Sequence, residues 1–193
     1  MPLFILVLAF ILGLAVGSFL NVVILRGAKG ESLGGRSRCA ACKKELGFFE
    51  LIPVASFFAQ KARCRSCGTR ISRQYPAVEL AAAVAFVLAA WYFLPLAQYP
   101  GISISAMAQL AAVFTGIGAI IVIFVSDLRF QIIPDGASVA LALVGVGAAF
   151  IRGTVSYDIA AAIAAAAFFA ALWGFSRGRW MGLGDAKLAL ALF

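Results

Sequence analysis

From Leu3 to Leu25 the chain carries no charged residue, and a helix over that run rises roughly 35 Å, enough to cross a bilayer. Such a segment has few conformations open to it. Hydrocarbon offers no partner to backbone N–H and C=O groups, so a spanning segment must close its own hydrogen bonds as a helix. The pattern then returns. Pro76 to Leu96, Ala106 to Val125, Pro134 to Ile151 and Ile159 to Phe175 are further apolar runs, and a sixth helix opens at Asp185 but reaches only Phe193. With 64% hydrophobic residues and a mean hydropathy of +1.03, the whole chain lies outside the range of soluble domains. The expectation is an all-α polytopic membrane protein with about five to six transmembrane helices. Gln98 to Ser105, with Pro100-Gly101, reads as a short loop, Ser126 to Ile133 as a charged turn and Ser176 to Gly184 as a basic, glycine-rich turn. Nothing basic precedes the first run and no small-residue cleavage site follows it, which argues against a removed signal peptide.

Charge supplies the topology. Most of the 16 Lys and Arg fall between Arg26 and Arg73, in a polar stretch holding only Glu31, Glu45 and Glu50 as acids. A basic excess often signals nucleic acid, but in a membrane protein it marks the cytoplasmic side, so no nucleic-acid partner is expected. Alternation then places 97–105 outside, 126–133 inside, 152–158 outside and 176–184 inside. Arg129, Arg177 and Arg179 lie in the inside loops and Arg152 outside, which agrees with an outside N-terminus. The domain reading is a first transmembrane helix over 1–25, a cytoplasmic cysteine-rich insert over 26–75 and a membrane-embedded domain over 76–193.

The insert carries Cys39-Ala40-Ala41-Cys42 and Cys64-Arg65-Ser66-Cys67. Two Cys-x-x-Cys turns at that separation suit one tetrahedral zinc, as in zinc ribbons. Lys43, Lys44, Arg63 and Arg65 offset the charge of four thiolates; a reducing cytoplasm disfavours the alternative of two structural disulfides, and redox use of a single knuckle does not explain two. With Cys39, Cys42, Cys64 and Cys67 all bound, the metal is structural rather than catalytic, and a small insert needs such a staple.

The chain contains no histidine. That removes Ser-His-Asp and Cys-His proteases and the His-Glu-x-x-His metalloproteases, and leaves hydrolysis to carboxylates, to lysine or to a metal held without imidazole. Two acids stand where apolar runs meet short charged loops: Asp127 in Val125-Ser126-Asp127-Leu128-Arg129, and Asp185 in Gly182-Leu183-Gly184-Asp185-Ala186-Lys187. Singly, each has an ordinary reading. Asp185 after glycine suits a helix N-cap, and Asp127 suits a solvated interface residue paired with Arg129. Together they read as an aspartyl protease dyad, because ionisable groups beside hydrocarbon mark function. Peptide hydrolysis by carboxylates needs two that share a proton. Gly182 and Gly184 would admit an extended peptide backbone. Asp135 and Glu79 read either as first-turn acids favoured by the helix dipole or as support for the site. Lys187 tunes the pair or marks the cytoplasmic edge, and Asn21 serves as interhelical glue or a helix terminator.

These segments, in this order, resemble the bacterial type IV prepilin peptidases, the bifunctional leader peptidase/N-methyltransferases of the GxGD aspartyl class. Gly17-Ser18-Phe19-Leu20-Asn21-Val22-Val23 is similar to the family's first-helix signature. The paired knuckles, Glu50-Leu51-Ile52-Pro53 and Ile71 to Leu80 are similar to its cytoplasmic domain, and Asp127, Ile133-Pro134-Asp135 and Gly182 to Lys187 to its catalytic segments. The resemblance implies that Asp127 and Asp185 are the catalytic pair. It implies a prepilin or pseudopilin substrate, cut after a short basic leader at the cytoplasmic face of the inner membrane. It also implies methylation of the new N-terminal amine from S-adenosylmethionine, since members lacking the cysteine domain tend to be peptidases only. The family usually continues past the Gly-Asp helix, so the resemblance further implies a C-terminally truncated 76–193 domain. Two alternatives stay open: a GxGD peptidase without methylation, and a non-enzymatic zinc-binding membrane assembly factor.

Overall fold

In the computed structural model, residues 3–93, 104–179 and 182–192 are described; the loop expected around Pro100-Gly101 lies outside them. Seven α-helices account for most of these residues: α1 (Leu3–Gly27), α2 (Ala55–Ala59), α3 (Gln74–Phe93), α4 (Ile104–Phe130), α5 (Asp135–Arg152), α6 (Val155–Ser176) and α7 (Leu183–Leu192). Five of them, α1, α3, α4, α5 and α6, are long and apolar enough to cross a membrane. The chain is an all-α, multi-pass membrane protein with a four-cysteine insert between α1 and α3.

The chain forms two compact units, Met1–Ile121 and Val122–Phe193. In the first, α1 and α3 run antiparallel in close contact, and the reason is visible in α1. A Cβ placed on Gly13 would stand 2.5 Å from the Ala83 Cα, and one on Gly17 would stand 2.7 Å from the Glu79 Cα. Only glycine lets the two backbones approach so far, the small-xxx-small packing of membrane helices. Asn21 completes the stripe. Its Nδ2 donates to the Tyr75 carbonyl at 3.1 Å and to the Gly17 carbonyl at 3.3 Å, while its Oδ1 accepts from Gln74 Nε2 at 3.4 Å. Asn21 is therefore interhelical glue and not a terminator, since α1 continues to Gly27. Phe86 stacks on Phe114 of α4 with centroids 4.0 Å apart and planes 4° apart. Large apolar side chains point outward, among them Leu3, Trp91, Phe150 and Phe175, as expected where lipid is the solvent.

In the second unit, α7 packs against α5 and α6. Several helix ends differ from the sequence expectation, and each has a local cause. The stretch Ser126 to Phe130 is helical rather than a turn, because charge alone does not break a helix. Gln131 ends it in the left-handed region (φ 54°), its N–H bonded to the Asp127 carbonyl at 2.9 Å, and Pro134 disfavours helix at the residue before it. Likewise α6 begins at Val155, not Ile159. Asp158 enters the first turn, where its Oδ2 accepts from Thr154 Oγ1 at 2.8 Å and Arg152 Nη2 at 2.9 Å, a favourable place for an acid.

Candidate active site and four-cysteine centre

The insert is built from two turns of the same design. In the first, the Lys43 N–H bonds the Cys39 carbonyl at 3.0 Å and the Cys39 N–H bonds the Lys44 carbonyl at 2.9 Å. In the second, the Gly68 N–H bonds the Cys64 carbonyl and the Cys64 N–H bonds the Thr69 carbonyl, both at 2.9 Å. Lys43 and Gly68, at matching positions, both have left-handed φ, 60° and 69°, and antiparallel bridges Arg38–Glu45 and Arg63–Arg70 flank them. This local duplication lies below the detail that residue identities reveal, because lysine replaces glycine at one of the two left-handed positions.

The turns bring four sulfurs together. The Sγ atoms of Cys39, Cys42, Cys64 and Cys67 all lie within 4.8 Å of one another, and Cys39 and Cys67 are 3.9 Å apart. Tetrahedral zinc with bonds of about 2.3 Å needs sulfurs roughly 3.8 Å apart, so the group is shaped to hold a metal ion. The thiols bias one another. Thr69, through its hydroxyl and backbone, pulls Cys67 down to about 6. At Cys42 the Lys44 backbone lowers the pKa, but the sulfurs of Cys67, Cys39 and Cys64 together with lost hydration outweigh it and push it up to about 11. Four close thiolates cannot all ionise alone, and a bound dication removes that repulsion.

Asp127 lies in the last turn of α4 and is exposed; Asp185 is half-buried in the first turn of α7. Both belong to the unit Val122–Phe193. Asp185 is the third residue of α7 rather than its cap, and its N–H bonds the Gly182 carbonyl at 3.3 Å. Asp127 makes no ion pair with Arg129. Among the described residues, neither carboxylate has a side-chain hydrogen bond or ion pair. Beside Asp127, Ser126 is buried with its Oγ also unpartnered, a polar position that the sequence reading did not single out.

The flanking residues do meet. A Cβ on Gly184 would stand 3.0 Å from Ile133 Cδ1, and Lys187 Nζ donates to Asp135 Oδ1 at 3.1 Å. The start of α7 is thus held against the loop that follows α4. Asp135 is the first residue of α5, behind Pro134, and its exposed pairing with Lys187 fits the first-turn reading. Gly182 is exposed, and nothing but the Gly184 N lies within reach of a Cβ there. A cavity of about 260 Å³ lies toward the Arg152 end of α5, lined by Leu141, Val144, Ala148 and Ala191; it contains none of these acids.

Glu79 is not a first-turn acid. It is the sixth residue of α3, buried at 6% exposure, in the other unit from the two aspartates. Its Oε2 accepts from the Val54 N–H at 2.7 Å. Val54 is held at φ 60°, ψ −52°, a conformation rarely adopted by a β-branched residue. No local signal in the sequence announces this partner.

Comparison with known proteins agrees with the order of these segments. Residues 11–93 match the bacterial peptidase A24 N-terminal domain and residues 114–193 the type IV leader peptidase family. Three curated relatives are each named prepilin leader peptidase/N-methyltransferase. That of Klebsiella pneumoniae is 34% identical over 95% of this chain and 81% of its own length. Those of Bacillus subtilis, 40% identical over 65% of this chain, and Myxococcus xanthus, 51% identical over 42%, are matched over only 47% and 24% of their lengths. The chain thus spans less than half of these last two relatives. No solved structure matches it. With both halves matched in order and a relative aligned almost end to end, the chain belongs to the type IV prepilin leader peptidase family.

Proposed function

We propose that the chain is a membrane-embedded aspartic endopeptidase that removes the leader from type IV prepilin-like proteins and methylates the new N-terminal amine. The observation that carries the first activity is the pair Asp127 and Asp185. Both stand at helix ends within one unit, beside long apolar helices, and neither has a side-chain partner among the described residues. The histidine-free chain holds no nucleophile–imidazole pair. One carboxylate, ionised, takes a proton from water as it attacks the scissile carbonyl. The other, protonated, gives its proton to the carbonyl oxygen; the tetrahedral diol then collapses, returning a hydroxyl proton to that second carboxylate and expelling the amine as the first acid protonates its nitrogen. Gly182 leaves room for an extended substrate near Asp185, Gly184 lets the start of α7 close on Ile133, and the Lys187–Asp135 pair helps fix that start.

The four cysteines hold zinc as a structural ion: the sulfur spacing fits it, and four thiolates leave no open coordination position. S-adenosylmethionine supplies the methyl group to the freed amine. The described residues include no strand followed by a glycine-rich loop of the dinucleotide-binding kind, and no residue is assigned to that step. In this reading 1–25 is the first span, 26–75 the zinc-binding insert and 76–193 the peptidase domain. The protein sits in the inner membrane with its N-terminus outside, and the aspartates and insert face the cytoplasm, as the distribution of Lys and Arg supports.

The test is co-expression with a prepilin, followed by mass spectrometry of the pilin N-terminus. Loss of the leader with one added methyl group is the expected result. Loss of the leader without methylation would reduce the chain to a peptidase. Unprocessed prepilin beside a membrane-inserted chain would overturn the reading.

A further inference from the structure

The insert carries an apolar surface that the zinc site does not use. Phe48 is 78% exposed, Phe49 72% and Phe58 68%, and Leu51 and Ile52 are exposed beside them. The 3-10 turn Phe48–Glu50 lies against α2, so these exposed side chains come from one small part of the insert. Exposed apolar clusters of this kind mark a partner. The position of the cluster identifies it.

The Val54 N–H is bonded to Glu79 Oε2 at 2.7 Å, and Glu79 lies about 7.5 Å along α3 from Gln74. Val54 is therefore held beside the first two turns of a membrane-spanning helix, not beyond its end. Its chain is also tied to the bilayer on both sides, through α1 before it and α3 after it. A depth of roughly 5–10 Å is where amphipathic segments and aromatic belts rest at the headgroup boundary. Lys61, Arg63, Arg65, Arg70 and Arg73, which follow the cluster in the chain, are exposed, and Lys and Arg beside a membrane favour anionic lipid.

We propose that Phe48, Phe49, Leu51, Ile52 and Phe58 insert into the bilayer interface where α1 ends and α3 begins, with the neighbouring basic side chains on anionic headgroups. The buried Glu79 carboxylate, holding Val54 in its left-handed turn, sets the depth. The insert then lies on the membrane rather than projecting from it, with its zinc centre held close to the surface.

The test uses the full chain in lipid nanodiscs, with p-benzoylphenylalanine in place of Phe49 or of Phe58. Trp91, exposed on α3, serves as the lipid-facing control and Ala41, exposed on the first knuckle, as the off-patch control. After irradiation, mass spectrometry is expected to show phospholipid adducts at Phe49 and Phe58 in yields comparable to Trp91 and severalfold above Ala41. Yields are expected to rise when phosphatidylglycerol is added to phosphatidylcholine. Adducts at Trp91 without any at Phe49 and Phe58 would overturn the proposal, as would crosslinks from these positions to protein in place of lipid. Equal yields in the two lipid compositions would overturn its electrostatic half.

Discussion

The cysteine insert with its two supporting helices and the aspartate unit differ in how far their polar groups are satisfied. In the first unit the cysteines, Glu79 and Asn21 find partners in the chain itself, while Gln74 Oε1 is buried without one. The four sulfurs face one another, Glu79 has the Val54 N–H, and Asn21 bridges α1 to α3. In the second, Asp127 and Asp185 have no side-chain partner among the described residues, and the Oγ of Ser126, next to Asp127 in the chain, is likewise alone. Buried or bound polar groups that are satisfied make structure; groups left free at a membrane edge are available for chemistry. On the proposed reading the first region serves stability and the second reactivity, and the contrast can be attacked at each point.

The largest stability effect is expected at the metal centre. Cys64→Ser removes the one buried ligand, and because metal binding is folding energy in small zinc modules, the insert should lose its zinc and become protease-sensitive. Metal analysis with limited proteolysis checks this, and extensive chelation of the unmodified protein should do the same. Next comes Gly13→Leu. The clash falls on the Ala83 backbone, which cannot swing aside as a side chain would, so a loss of about 3 kcal/mol is expected, read by unfolding in detergent. Glu79→Ala leaves the Val54 N–H without its acceptor and should cost about 2 kcal/mol, measured in the same way. The smallest effect is expected in the other unit. Lys187 and Asp135 have side chains 62% and 77% exposed, so Lys187→Ala should change stability by about 1 kcal/mol or less. A larger loss there would break the contrast between the regions.

How much of this was legible without coordinates follows the range of the signal. The five spans are written in continuous apolar runs, and the cysteine group in its two x-x spacings, both local patterns. Helix ends were read less well, because Asp127, Arg129 and Asp158 look like loop charges yet sit inside α4 and α6. The first-turn reading open to Glu79 fails because helix starts are uncertain by a turn, and its partner, Val54, sits 25 positions away in the sequence in a backbone conformation that no propensity suggests. The aspartates stood out through the absence of histidine and the motif around each. The proposed pairing of the two would be a tertiary property that neither motif encodes alone.

The central claim is that Asp127 and Asp185 act as one proton-sharing pair, and its most direct test is prepilin cleavage by Asp127→Asn, Asp185→Asn and the double variant in membranes carrying equal amounts of protein. Groups that act as a unit lose activity together rather than multiplicatively. Each single variant should fall by about 10³-fold or more, and the double variant should fall no further. Near-normal cleavage by either single variant, or losses that multiply in the double, would contradict the account.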